Sequence, residues 1–276
     1  PRLDAELLLG HVLGVRRATV LAEPESGVSE TQAAEFGALI ERRARGVPVA
    51  YLRGLKEFYG LVLSVDERAL IPRPETETVV DRALAVIAHR LTEEPRPADS
   101  QPLLVWDVGT GSGAIPVTLA VECRRRGYAR DVTFLATDIS AEAIALATEN
   151  AVAHAVADVI RFAVADLTDV PGAGSADLLT ANLPYITSDE LPQLPVAASY
   201  EPPVAFDGGP DGLTFVRRLF EDLPRALALG GTAMLEIGTD QADAVVALAP
   251  SGWQVVVYDD LAAWPRVVEL TRPEAT

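Results

Sequence analysis

Three glycines at alternate positions, in Asp107-Val108-Gly109-Thr110-Gly111-Ser112-Gly113, join an apolar run at 103–108 to a helical pattern at 114–126. A strand that turns this abruptly into a helix narrows the chain to α/β folds, because glycine alone adopts the required positive φ without steric cost. The pattern repeats downstream. Strand-like runs at 103–108, 132–138, 159–163, 176–181 and 232–237 are mostly separated by helical stretches, which predicts an open, doubly wound parallel sheet. Two further runs, 253–258 and 266–270, are joined too closely for a crossover helix, so they are expected to pair antiparallel at an edge.

Residues 1–54 read as helices only. Leu3, Leu7, Leu8 and Val12 recur at helical spacing before Gly14, and Ser29 with Gln32 forms a capping box ahead of Phe36, Leu39 and Ile40. From 55 to 71 aromatic and β-branched residues broken by Gly60 predict a β-hairpin connector. Pro72 and Pro74 stop it, and 75–90 has helical periodicity, followed by a polar, proline-rich surface loop at 92–102. The expected organisation is a helical domain (1–54), a hairpin (55–71) and an α/β domain (72–276).

The glycine loop lets a ligand approach backbone and helix N-terminus, so a nucleotide-type ligand is expected across Gly109, Thr110, Gly111, Ser112 and Gly113. Its spacing is Gly-x-Gly-x-Gly, not the dinucleotide Gly-x-Gly-x-x-Gly, and Asp107 stands at its entrance. A pyrophosphate would be repelled by that carboxylate. A ligand carrying an ammonium and a sulfonium would be attracted, which points to S-adenosylmethionine. Asp138, ending the second strand, is placed to accept hydrogen bonds from both ribose hydroxyls, roughly 1.5 to 3 kcal/mol for each charge-assisted bond. Asp166, after the third strand, is a candidate for the adenine amino group, with Leu167 against the ring; a helix cap is the competing reading.

After the fourth strand comes Asn182-Leu183-Pro184-Tyr185, at the carboxyl end of the sheet where ligands bind in such folds. A planar NH2 group is oriented by two acceptors and an aromatic face. Asn182 offers its side-chain carbonyl and Leu183 its backbone carbonyl, Pro184 restricts residue 183 to extended angles, and Tyr185 offers its ring. The spacing suits an amino group as the methyl acceptor. Two acceptors would draw on the N–H groups of a carboxamide and aim its nitrogen at the methyl carbon; no general base is assigned.

Several motifs together resemble the release factor glutamine methyltransferases, the HemK/PrmC family. They are Leu70-Ile71-Pro72-Arg73-Pro74-Glu75-Thr76-Glu77, the glycine loop, the Asn-x-Pro-Tyr motif, and Tyr200-Glu201-Pro202 through Gly208-Gly209-Pro210-Asp211-Gly212-Leu213. Pro1-Arg2-Leu3-Asp4-Ala5-Glu6 is similar to the family's first helix, and Leu235-Glu236-Ile237-Gly238 with Gln241 to its fifth strand and following helix. The resemblance implies a class I S-adenosylmethionine-dependent methyltransferase, with a Rossmann-like seven-stranded sheet behind an N-terminal substrate-recognition domain. It also implies methylation of the glutamine side-chain nitrogen (N5) in the Gly-Gly-Gln loop of peptide chain release factors, and a substrate-side place for Arg73. Leu183 stands where the family usually has proline, and Asn-Leu-Pro-Tyr also resembles the rRNA adenine dimethyltransferases. An adenine N6 methyltransferase acting on rRNA or DNA is thus the alternative.

Charge bears on that choice. Of 23 basic residues only Lys56 is lysine, against 40 carboxylates, and the formal net charge is −17, a field that disfavours extended nucleic-acid binding. His11, His89 and His154 are scattered without ligand spacing, so no metal is expected. The longest charge-free stretch, 244–258, is interrupted by Pro250 and Gly252 and is shorter than the about 18 to 20 apolar residues of a spanning helix, so no membrane span is expected. A lone Cys123 and no charged-then-apolar leader lead to the expectation of a reducing cytoplasm.

Overall fold

The computed structural model describes residues 1–93 and 100–274. Helices α1 (Arg2–Leu13), α2 (Arg17–Ala22), α3 (Glu30–Ala44) and α4 (Val49–Arg53) form the first unit. Gly14 ends α1 in the left-handed conformation, and the Ser29–Gln32 capping box opens α3 as its sequence requires. Leu8, Leu39, Val47 and Leu52 make its small core.

Strands β1 (Leu55–Phe58) and β2 (Leu61–Ser64) form the hairpin. Its two turn residues, Tyr59 and Gly60, both have positive φ, the turn whose twist matches that of the strands. Alternate residues of β2 are buried, so Leu61 and Leu63 anchor the hairpin in the main core. A single 3-10 turn at Pro74–Thr76 precedes α5 (Glu77–Thr92), which therefore starts two residues later than periodicity predicts. The loop expected at 92–102 falls partly on 94–99, outside the described residues; Leu103 is already in strand.

The α/β unit continues through β3 (Leu103–Val108), α6 (Ala114–Arg125), β4 (Val132–Asp138), α7 (Ala141–Ala153), β5 (Ile160–Val164), β6 (Ala176–Ala181), α8 (Thr214–Ala226), β7 (Leu227–Glu236), α9 (Ala242–Leu248), β8 (Gln254–Asp259) and β9 (Pro265–Thr271). These strands form one seven-stranded sheet in the order β5-β4-β3-β6-β7-β9-β8. The first five are mutually parallel, and β9 pairs antiparallel with both β7 and β8, as the short β8–β9 connection demands.

Consecutive strand residues feed opposite faces. Val105, Phe134 and Leu178 pack with α5, α6 and the hairpin, whereas Trp106, Leu135 and Leu179 pack with α8. Strand β7 is longer than its sequence pattern, beginning at Leu227 directly after α8; the register shift opposite Ala176 and Leu178 accommodates the extra residues.

Candidate functional site

At the carboxyl ends of β3, β4 and β6 the surface opens into a cavity of about 340 Å3, a size suited to a small-molecule ligand. It lies where β3 is flanked by β4 on one side and β6 on the other, the switch point of the sheet.

The glycine loop forms one wall. Gly109, Gly111 and Gly113 have φ of 72°, 53° and 79°. The N–H groups of Gly109 and Thr110 both donate to Thr137 O at 2.9 Å, which fixes the turn to β4. A Cβ on Gly109 would lie 2.9 Å from Leu183 Cδ2, and one on Gly113 would lie 3.0 Å from Ala147 Cβ. Gly109, Thr110, Gly111 and Ser112 line the cavity, while Gly113 caps α6 behind it.

Asp138 faces the same space. Its Oδ2 accepts the Gly111 N–H at 2.8 Å and its Oδ1 the Ser140 N–H at 2.9 Å, leaving lone pairs on both oxygens. Burial raises its carboxyl above the ordinary range, against these backbone donors. Asp166 and Leu167 extend the wall. Asp166 accepts a 2.7 Å hydrogen bond from Arg218, and Leu167 holds a positive φ of 51° with its carbonyl accepting the Thr137 hydroxyl.

Asp107 stands apart from this group. Expected at the loop entrance, it lies beneath the loop at 1% exposure and outside the cavity lining. Its Oδ1 accepts the Thr180 hydroxyl at 2.6 Å, Oδ2 is without a partner, and burial pushes its carboxyl up to about 7. The reason is strand alternation: within β3, residue 107 shares its side of the sheet with Val105, the side that α6 packs over, so its carboxylate is covered and not presented to the cavity.

Asn182, Leu183 and Pro184 line the cavity beside the glycine loop. Leu183 fills the space above Gly109, so the two loops interlock through the glycine's missing side chain. The Nδ2–H of Asn182 donates to Thr76 Oγ1 at 3.1 Å. Tyr185 is not among the lining residues; it is half-buried, and burial raises its hydroxyl to about 12. Arg73 lines the rim with its guanidinium held by Glu201 at 2.6 Å. Arg68, the other lining arginine, is paired with Asp66 and Glu149. The carboxylates of Glu67, Asp138 and Glu142, none of them in an ion pair among the described residues, therefore set the sign of the cavity, which favours a cation.

Comparison with known proteins agrees with this geometry. Residues 1–54 match a family model described as the PrmC N-terminal domain, and residues 105–198 match one described as a methyltransferase domain. A release factor glutamine methyltransferase of Caulobacter vibrioides is 36% identical over 97% of this chain and 88% of its own. The chain belongs to the release factor glutamine methyltransferase family. Another member, from Moorella thermoacetica, is 39% identical over 90% of this chain and 82% of its own. Among solved structures, a methyltransferase from Pyrococcus furiosus superposes with a TM-score of 0.52 over 89% of this chain and 100% of its own; at 13% identity it speaks to the fold alone.

In this release factor glutamine methyltransferase family member, motifs far apart in sequence close on one another around the cavity. Glu201, 3% exposed, accepts the Ile71 N–H at 2.9 Å as well as Arg73, clamping the Pro-Arg-Pro segment to the segment after β6. Gln241 donates to Tyr185 O at 3.0 Å and to Gly212 O at 3.3 Å while accepting the Gly238 N–H. Gly208 leaves no room for a Cβ, which would lie 2.7 Å from Pro184 O and 2.8 Å from Tyr185 Cα. Sequence reading attaches no individual role to Glu201, Gln241 or Glu236. The only signal was their membership of matching motifs, since a polar residue's burial is set by what packs over it. Phe215 and Ile139 also line the cavity outside every motif, and Val204 lines it from within the 200–213 motif. Among the described residues there is no group of three metal-ligating side chains, and no helix is long and apolar enough to cross a membrane.

Proposed function

We propose that this chain transfers a methyl group from S-adenosylmethionine to the side-chain nitrogen (N5) of the glutamine in the Gly-Gly-Gln loop of peptide chain release factors, in the cytoplasm. The observation that carries the reading is Asn182-Leu183-Pro184 on the cavity wall beside, and interlocked with, the Gly109 loop. Family membership narrows the acceptor from any planar amino group to the release-factor glutamine.

The cavity fits the methyl donor. Its backbone cradle at Gly109 is one that a Cβ would fill, its free charges are carboxylates, and Asp138 retains lone pairs for ribose hydroxyls. Gly109 to Ser112, Asp138, Asp166 and Leu167 would hold it. When bound, S-adenosylmethionine supplies an electrophilic methyl group on a sulfonium. The chain's own task is positioning. Asn182 Oδ1 and the Leu183 carbonyl accept the two N–H groups of the incoming amide, Tyr185 supports the loop, and Pro184 holds residue 183 extended. Because the acceptor at 183 is a backbone carbonyl, leucine serves there as proline does. Catalysis then comes from two acceptors aimed where positive charge develops on nitrogen. The helical unit 1–54 is the release-factor recognition domain of this reading.

The test is incubation with labelled S-adenosylmethionine and, separately, a release factor, its loop Gln-to-Ala variant, rRNA and duplex DNA, with mass spectrometry locating the label. Label on the loop glutamine alone is expected. Label on an adenine would replace this reading with the adenine N6 alternative.

A further inference from the structure

Glu236 ends β7 with its side chain 3% exposed and neither carboxylate oxygen hydrogen-bonded. Burying an acceptor-only group without donors is costly, and no step derived above uses it. Its place is set by register: Leu235 pairs with Ala181 across the parallel β6–β7 ladder, so Glu236 stands one step further on, beside Asn182. Thr76 arrives from the turn before α5, 4% exposed, with Oγ1 accepting the Asn182 Nδ2–H. Thr76 and Asn182 stand close enough to Glu236 for their polar hydrogens to oppose the rise that burial imposes on its carboxyl.

A primary amide has two ends of nearly the same shape and opposite polarity. The reading of Asn182 as an acceptor for the substrate's amino group, on which this inference rests, needs Oδ1 toward the cavity and Nδ2 away from it. Shape does not enforce that choice. Thr76 does not enforce it alone, because a hydroxyl both donates and accepts and would serve a flipped amide equally well. Above about pH 7, where Glu236 has lost its proton, its carboxylate only accepts. Placed behind Thr76, it takes the hydroxyl proton, leaves Thr76 with lone pairs alone facing Asn182, and repels a flipped Oδ1. We propose that Glu236 is a positioning residue which, through Thr76, fixes the polarity of the Asn182 amide so that its carbonyl faces the substrate.

The test uses the full chain with Glu236→Gln, Thr76→Val and the double variant. Glutamine keeps the shape of Glu236 and supplies a donor, which removes the polarity. Turnover on the release factor is expected to fall about ten-fold or more in each single variant, with KM for the release factor and Kd for S-adenosylmethionine held within about two-fold. The double variant is expected to be no slower than the slower single one, because both act through one amide. A substrate-free readout accompanies these. In the wild type the Asn182 side-chain amide protons, assigned by their loss in Asn182→Ala, show nuclear Overhauser contacts to Thr76, and these weaken in Glu236→Gln. Wild-type turnover in Glu236→Gln, additive losses in the double variant, or unchanged contacts to Thr76 would overturn the inference. A wild type that leaves release factor unmethylated defeats the functional reading instead, while the amide contacts still decide the role of Glu236.

Discussion

Asn150, near the end of α7, is 1% exposed and holds three segments together. Its Nδ2 donates to Ser64 O at 3.0 Å and to Ser112 O at 2.9 Å, and its Oδ1 accepts the Ser64 N–H at 2.7 Å. The hairpin and the glycine loop are thereby tied to one helix. Replacing Asn150 with alanine removes three hydrogen bonds worth about 0.5 to 1.5 kcal/mol each. Ser64 is exposed, so water takes up its backbone groups. Ser112 is buried, and its orphaned carbonyl adds about 1 kcal/mol. The expected loss is about 4 kcal/mol, or roughly 8 to 16 °C in Tm at about 2 to 4 °C per kcal/mol for a chain approaching this size. Urea unfolding followed by circular dichroism measures it, and the slope should stay constant while the midpoint drops. Because Ser112 lines the cavity, calorimetry should also find S-adenosylmethionine bound more weakly in the variant. A stability loss below about 1 kcal/mol would refute the reasoning, since it would mean that the three bonds add nothing beyond what water supplies.

Three further outcomes are expected. Asp138→Ala removes the acceptor for Gly111 and Ser140 and the proposed ribose anchor, so calorimetric affinity for S-adenosylmethionine should fall at least about ten-fold while the circular dichroism spectrum persists; unchanged affinity would take Asp138 out of the ribose site. Asn182→Ala should lower turnover on the release factor roughly 100-fold with little change in cofactor affinity, and near-normal turnover would contradict the two-acceptor geometry. Asp107, raised by burial to about 7 from an ordinary 3.8, binds its proton more tightly folded than unfolded. Its contribution is therefore fully present below about pH 4 and lost as pH rises through about 7. Asp107→Asn should reduce that fall in the urea midpoint, with Glu236, also raised to about 7, carrying what remains; an undiminished slope would show that Asp107 is ionised in the folded protein.

Much of the fold was legible because its signals are local. The capping box of α3, the turn at Tyr59-Gly60 and the three positive-φ glycines each depend on residues a few positions apart. The antiparallel pairing of β8 with β9 at an edge followed from the length of one connection, whereas the insertion of β9 between β7 and β8 did not. The start of β7 was not legible, because Gly230 and Gly231 break the alternation there and pairing with β6 alone makes it strand.

The candidate site divides along the same line. Residue chemistry and spacing by themselves led to the expectation of a nucleotide-type cation beside a planar amino group at one end of the sheet, since Asp138, the glycine loop and Asn182-Leu183-Pro184 all follow strand ends. Only the tertiary structure decided which polar groups stand behind them. The bonds from Ile71 to Glu201 and from Asn182 to Thr76 span 130 and 106 residues. It also turned Asp107 inward and left Glu236 buried without a partner. Local sequence sets backbone angles within a few residues, whereas burial and the facing of a side chain belong to packing between distant segments, which no local pattern encodes.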